Sequence, residues 1–368
     1  MRHHFLRDDA MSEPTIVAAT MSDTGVVVSW SDGLTDDLAP IWLRHSCHCP
    51  QCRHASGQRL IDLVDIDPDG HISSAIVSAD RVDFVIDDHS GFVPSTALGQ
   101  RRPQQASTTT WGAEHLNAVV TNATDAGADL LSARQQLDRF GIALFTGVPT
   151  EPGEVLRFAA ELGYVRETNY GTLFDVLAEP DPNNLAYTAL GLPLHTDNPY
   201  RDPVPTVQLL HCLQAGSTGG ESQFADGFHA ANCLREKDPR AFEVLSSNDV
   251  TFRFADSTAD LRARVPIIQT NNSGEVTAVR LNSRSIAAID LDAATTRSFY
   301  DALRRFIEIV SAGDSVIDLK LSAGDLIAFD NRRVLHGRSE YDVTDRRHLQ
   351  GCYIDIDSVR SDVLVAAR

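Results

Sequence analysis

The hexapeptide LHTDNP at residues 194–199 decides the reading of this chain. Within it His195 and Asp197 stand two apart, and on an extended segment both side chains leave the same face. An imidazole and a carboxylate presented together can ligate one metal ion. A second imidazole would complete a two-histidine, one-carboxylate facial triad, which suits Fe(II) and leaves three positions open. His336 is the candidate, because it ends the strand-like run GDLIAFDNRRVLH (324–336). Eleven residues further comes Arg347, at the head of the strand-like HLQGCYIDI (348–356). If those two strands are neighbours, Arg347 reaches the same pocket, where its planar guanidinium would clamp a carboxylate through two parallel bonds. A lone His-x-Asp arises easily by chance, and the bland reading is surface histidines with an ion-paired arginine. The four residues together, on a sheet-rich domain, form a much more specific pattern.

Outward from this centre the text is α+β. From about residue 128, helix-like segments (ADLLSARQQLDRF, PGEVLRFAAELG, AANCLREKDPRAFEVLSS, LDAATTRSFYDALRRFIEIVSAG) alternate with strand-like ones. The strand-like runs include IALFTGV, VQLLHCL, VTFRFA, GEVTAVRL, DLIAFD and LQGCYIDI. This predicts one domain over 128–368 with a large sheet. Residues 101–127 are polar and read as a linker that Trp111 could dock, and residues 1–14 read as a disordered N-terminus. Residues 15–100 read as a separate small, mostly β domain. Its runs TIVAAT, GVVVSW, RLIDLVDI, SSAIVS and RVDFVID are punctuated by SDTG, SDG, DPDG and DDHSG, which is turn chemistry.

That small domain carries CHCPQC at 47–52, three thiols on one tight loop. Cys47 and Cys49 are too close to bridge comfortably. The crowding points to a metal rather than to disulfides. A structural Zn(II) wants four ligands in a tetrahedron. Cys47, Cys49 and Cys52 supply three, and His89 in DDHSG could fold back as the fourth. The alternative is three free thiols in an exposed loop.

Composition narrows the partners. The 368 residues carry 51 acidic and 32 basic side chains, a net charge of −19, which argues against nucleic acid or an anionic membrane as partner. Only Lys237 and Lys320 are lysines, so any anion site here relies on arginine. There is no apolar run of membrane-spanning length, and the first residues have no secretory apolar core, so a cytoplasmic location is expected.

At these residues the chain resembles the Fe(II)/2-oxoglutarate dioxygenases related to γ-butyrobetaine dioxygenase and trimethyllysine dioxygenase. SWSDG and APIWLRHSCHCPQC look like that family's N-terminal zinc-binding domain. NNLAYT, LHTDNP, VQLLHCL, TGGESQFADGF, GDLIAFDNRRVLHGR and RRHLQGCY look like its catalytic domain. The resemblance implies a double-stranded β-helix (jelly-roll) core in which His195, Asp197 and His336 bind iron. Arg347 would hold the distal carboxylate of 2-oxoglutarate, with Ser222 beside it. Cys47, Cys49, Cys52 and His89 would bind structural zinc. It further implies O2 as oxidant, ascorbate as reductant in vitro, and a homodimer. The reaction implied is hydroxylation of a C–H bond coupled to conversion of 2-oxoglutarate to succinate and CO2.

By the same resemblance Tyr170, Phe174, Tyr187 and Tyr353 stand at positions of an aromatic cage for a trimethylammonium group, which ring faces attract. The null for each is an ordinary core aromatic. Asn198 replaces a cage tyrosine of the animal butyrobetaine enzyme. Arg284 replaces an amide at the substrate's anionic end, where Asn184 is retained and Asn282 lies close in sequence. A permanent cation with several amides suits a phosphonate. The leading expectation is therefore 2-(trimethylammonio)ethylphosphonate hydroxylation at the carbon next to phosphorus. The alternative is γ-butyrobetaine hydroxylation to carnitine. A hypothesis of another class, a catalytically dead adaptor, is disfavoured by the complete triad.

Overall fold

The computed structural model describes residues 14–101, 108–115, 123–178, 188–342 and 347–367. The chain divides into two compact units, Met1–Gln105 and Ala106–Arg368.

The first unit holds two antiparallel three-stranded sheets. One contains β1 (Ile16–Met21), β2 (Val26–Trp30) and β3 (Thr35–Leu38). The other contains β4 (Ile72–Ser78), β5 (Arg81–Ile86) and β6 (His89–Pro94). Val26, Val28 and Trp30 alternate inward on β2, as Val82, Phe84 and Ile86 do on β5, so each sheet buries one face. Those side chains share one core with Leu38, Leu43 and the three cysteines of the CHCPQC loop. Two stretches depart from the sequence reading. RLIDLVDI is not a strand: Asp62 caps a single 3-10 turn at Leu63–Asp65, and Val64 is 87% exposed. PIWLRH is a helix, Pro40–His45, started by a proline whose fixed φ suits a first helical turn.

The second unit is a sandwich of two sheets. The larger runs in the order β7 (Thr124–Asp125), β8 (Ile142–Thr146), β18 (Leu326–Asp330), β11 (Val207–Gln214), β20 (His348–Ile354), β9 (Phe174–Val176). The smaller runs β10 (Leu192–His195), β19 (Val334–Arg338), β12 (Ser222–Asp226), β17 (Val316–Leu319). All pairings within the two sheets are antiparallel except β7 with β8. Two hairpins, β13 (Val250–Ala255) with β14 (Asp260–Val265) and β15 (Ile268–Thr270) with β16 (Val276–Val279), complete the strands.

The two-residue period assigns each side chain a layer. Ile142, Leu144, Leu210, Ile327, Phe329 and Leu349 meet Phe224, Ile317 and Val334 of the smaller sheet between the layers. Their neighbours Ala143, Phe145, Leu209, Ala328, Cys352 and Ile354 pack outward, in the core that also holds buried residues of the helices Leu131–Phe140, Glu154–Leu162 and Ile356–Ala366. Ala225 and Leu335 pack outward from the smaller sheet against the helices Gly227–Lys237, Pro239–Ser247 and Ala293–Val310. The sequence reads the first two of these as one segment. Asp238 and Pro239 divide it, because Asp238 caps the amide of Ala241 and proline starts a new helix. Within the stretch expected as a linker, Trp111 is fully buried among the residues between the sheets. No helix among the described residues is long and apolar enough to cross a membrane.

Candidate active site and metal centres

The same layering puts polar residues between the sheets. His336 shares the inward face of β19 with Val334, Ser222 that of β12 with Phe224, Gln208 that of β11 with Leu210, and Tyr353 that of β20 with Leu349. His195 is the last residue of β10 and lies directly across from His336 in the β10–β19 register. Their rings lie 4.4 Å apart. Asp197 follows just beyond the strand, with Oδ1 3.4 Å from His195 Nε2 and Oδ2 3.7 Å from His336 Nε2. Donors at about 2.1 Å from an ion and at right angles would lie about 3 Å apart, so the triad closes on an ion with shifts of a few tenths of an ångström.

Charge states suit ligation. The Nδ1 of His195 is 2.8 Å from Pro193 O, which can only accept, so Nδ1 carries the proton and Nε2 keeps its lone pair. Burial, with neighbouring His195, pushes His336 down to about 3, so it is an unprotonated imidazole at neutral pH. Burial alone would raise the Asp197 carboxyl. The positive charge that His336 and His195 carry when protonated, with the bond from the Tyr353 hydroxyl, outweighs it and holds the group below the usual carboxylate range. Neutral imidazoles with an ionised carboxylate are what a divalent metal requires.

Asp197 is also held in place from behind. Gln208 Nε2 and Tyr353 OH both donate to its Oδ2, each at 3.0 Å. Asn331 grips its backbone: Oδ1 accepts from the Asp197 amide at 2.7 Å, and Nδ2 donates to the Asp197 carbonyl at 2.9 Å and to Pro205 O at 3.0 Å. Replacing Asn331 with alanine should weaken metal binding roughly 10- to 100-fold, the usual cost of losing a supporting contact behind a ligand. Titration of the protein with Co(II), followed by its visible spectrum, measures this directly, and unchanged affinity would remove Asn331 from the positioning role.

Arg347 reaches the pocket by a route other than the expected one. The strands β19 and β20 belong to different sheets and face each other across the interior. Arg347, just before β20, lies 3.4 Å from Ser222 Oγ on β12 of the opposite sheet. Gly220, at φ +68°, makes room for it, since a Cβ there would sit 2.9 Å from Arg347 Cδ. Burial, with Arg338 nearby, pushes the Arg347 guanidinium down to about 10. Among the described residues no carboxylate pairs with it.

These residues line one cavity of about 410 Å³, together with Tyr170, Phe174, Asn198, Asn282 and Arg284. Two further aromatics line it that the sequence reading missed, Tyr200 and Phe254. Their rings stack at 5.1 Å, and Tyr170 meets Phe254 edge-on at 6.1 Å. Phe174 packs on Tyr353 at 5.4 Å. Asn184 and Tyr187 lie outside the described residues. Asn198 stands at φ +52°, accepts from Tyr200 OH at 3.1 Å, and keeps a buried Nδ2 without a partner among the described residues. Asn282 donates from Nδ2 to Thr196 O at 3.2 Å, and its buried Oδ1 has no partner among the described residues. Arg253 also lines the cavity but is clamped bidentately by Asp260, whereas Arg284 has no hydrogen-bond or ion-pair partner among the described residues.

In the first unit, His89 opens β6 opposite Ile86 and meets the cysteine loop. Its Nε2 lies 3.4, 3.8 and 3.5 Å from the sulfurs of Cys47, Cys49 and Cys52. A tetrahedron with metal–sulfur bonds of about 2.3 Å and a metal–nitrogen bond of about 2.0 Å has sulfur–nitrogen edges near 3.5 Å. The four donors therefore already span a zinc-sized site. Gly91 keeps it open, because a Cβ there would overlap Cys47 Sγ and approach His89 Nε2 to 2.8 Å.

Both units match known protein families. Residues 102–353 match the family described as taurine catabolism dioxygenase TauD, TfdA family, and residues 17–90 match the gamma-butyrobetaine hydroxylase-like N-terminal family. The chain is 35% identical to the gamma-butyrobetaine dioxygenase of Pseudomonas sp. (strain AK-1), over 96% of each chain. It is 36% identical to the human gamma-butyrobetaine dioxygenase over 61% of this chain and 60% of that one. The crystal structure of AAD-2 in complex with Mn(II) and N-oxalylglycine shares the fold of 64% of this chain and 93% of its own, at 18% identity and a TM-score of 0.50. The chain belongs to the TauD/TfdA family as a 2-oxoglutarate-dependent dioxygenase with a jelly-roll core, in the group of the gamma-butyrobetaine dioxygenases.

Proposed function

We propose that the enzyme hydroxylates a small molecule with a trimethylammonium group at one end and an anion at the other, γ-butyrobetaine being the leading candidate. One observation carries this reading. The uncommitted Arg284 and the Tyr170–Tyr200–Phe254 ring cluster line the same cavity as the triad. The guanidinium supplies a positive partner for an anion, and ring faces suit a cation that cannot donate hydrogen bonds. His195, Asp197 and His336 would hold Fe(II), and Arg347 with Ser222 would fix 2-oxoglutarate. With both bound, the iron supplies the oxidising power for C–H hydroxylation, and 2-oxoglutarate leaves as succinate and CO2. The chain's own contribution is placement and an enclosed, largely buried site. Cys47, Cys49, Cys52 and His89 would hold structural Zn(II). A homodimer, measurable by light scattering, belongs to the same proposal.

The phosphonate substrate becomes the second reading. It is favoured by Asn198, whose buried Nδ2 is an unused donor. It is weakened by the likeness to gamma-butyrobetaine dioxygenase. Succinate release with Fe(II), 2-oxoglutarate, ascorbate and O2 separates the readings when γ-butyrobetaine and 2-(trimethylammonio)ethylphosphonate are run side by side. Butyrobetaine should be preferred. Arg284→Ala should raise its KM roughly 10- to 100-fold, the worth of a charge-assisted bond. Preference for the phosphonate would reverse the order, and release with neither would overturn the substrate class.

A further inference from the structure

The first unit contains a second cavity, of about 330 Å³, lined by Trp42, Ser46, His48, Arg53, Arg59, Thr96, Ala97, Gln100 and Arg101. Three of these are arginines and none is acidic. In a chain with 51 acidic and 32 basic side chains, that composition is unexpected.

The arrangement of Arg53 and Arg59 is more telling. They are directly paired in an isolated antiparallel bridge on the loop that leaves Cys52. Residues opposite each other on such a bridge project to one side, and like charges placed so repel. Neither arginine has a carboxylate partner among the described residues. Both are instead braced by backbone carbonyls. Arg53 Nε donates to Cys47 O at 3.4 Å and NH1 to Gly57 O at 2.9 Å, while Arg59 Nε donates to His45 O at 3.1 Å. Carbonyl bonds orient a guanidinium without neutralising it, and among the described residues the terminal N–H groups of Arg59 have no partner. Arg101 stacks on Trp42 at 4.7 Å, with Asp36 3.6 Å away as partial compensation. The hydroxyls of Ser46 and Thr96 add neutral donors.

We infer that this cavity is a binding site for a phosphate-bearing small molecule, held by Arg53, Arg59 and Arg101. Two opposed guanidiniums with adjacent hydroxyls match the charge and the several acceptor oxygens of a phosphate group. The cavity is larger than phosphate alone, so the ligand carries a further body. Because Arg53 bonds Cys47 O of the cysteine loop and Arg59 bonds His45 O at the end of the helix before it, the site depends on the local geometry around that loop.

Calorimetric titration of the full-length, zinc-loaded protein with inorganic phosphate and with adenosine monophosphate tests this, at fixed ionic strength. One saturating site is expected, with a matching rise in thermal midpoint. Tighter binding of the nucleotide identifies a phosphorylated small molecule, and equal binding identifies phosphate itself. Arg59→Gln and Arg53→Gln should each weaken binding roughly tenfold or more. Without phosphate these variants should be at least as stable as the parent, because the opposed charges are relieved. Arg284→Ala, in the catalytic cavity, should leave this binding unchanged. No saturable binding of either probe, binding undiminished in both glutamine variants, or binding lost with Arg284→Ala would overturn the assignment.

Discussion

Replacing Cys49 with serine should empty the zinc site and destabilise the first unit by several kcal/mol. In a site of this kind the metal's binding free energy is folding free energy, and for structural zinc it is on the order of 10 kcal/mol. Here the dependence is strong because the site is part of the core. Cys47, Cys49 and Cys52 pack in one cluster with Val28, Trp30, Leu43, Phe84 and Val93. Without the ion, three thiols and an imidazole would be left inside that cluster, with Arg44 NH1 on Cys52 Sγ at 2.7 Å as the charged partner that remains. Burial pushes the Cys52 thiol up to about 12, so in the absence of metal it stays protonated. A serine hydroxyl ionises far less readily still and is a poor ligand for zinc. The expected result is zinc content falling from about one ion per chain to near zero, with a lower thermal midpoint and a lower yield of folded protein. Zinc analysis with calorimetry on the same sample checks both. Loss of turnover with normal zinc content and an unchanged midpoint would contradict a structural role.

What could be read from the sequence, and what could not, follows from where the chemistry sits. CHCPQC and His-x-Asp are legible because short spacings alone bring their donors together. His89 and His336 lie far along the chain, and only register brings them in: β6 pairs with β5, and His336 falls opposite His195. The four central strands of the larger sheet, β8, β18, β11 and β20, are legible as apolar runs, since both of their faces are buried. Those of the smaller sheet, LPLH, SQFAD and VLHGR, are not, because their inward positions carry His195, Ser222, His336 and Arg338 in place of apolar residues. The function that hides these strands is the reason they are there. Gln208 left a trace, as the polar residue inside the apolar run VQLLHCL. Asn331 left none, since its role lies in two backbone contacts to Asp197. RLIDLVDI misled because it is a short branched apolar run bounded by turn chemistry, yet among the described residues no strand takes it up.

Arg347→Leu should raise the KM for 2-oxoglutarate by about 100-fold or more while making the ligand-free protein more stable, and the two opposite effects together identify its role. Arg347 is 8% exposed, and among the described residues its side chain makes one hydrogen bond, to Ser222 Oγ, long at 3.4 Å. The Tyr341 ring lies 5.9 Å away, and the positive charge of Arg338 acts on it more strongly than the Glu221 carboxylate does. A guanidinium taken out of water without a carboxylate costs several kcal/mol, and an apolar residue of similar size there is often stabilising. The molecule retains that cost between the sheets, in the same cavity as His195, Asp197 and His336. A carboxylate arriving there would relieve it, through two parallel charge-assisted bonds. Losing one partner of such a buried pair costs about 2–5 kcal/mol, which is roughly 30-fold to several thousandfold in affinity. Thermal unfolding of the metal-free variant should therefore shift upward, while turnover at saturating 2-oxoglutarate falls much less than KM rises. If the variant is less stable and its KM is unchanged, Arg347 is holding the sheets together rather than waiting for a ligand.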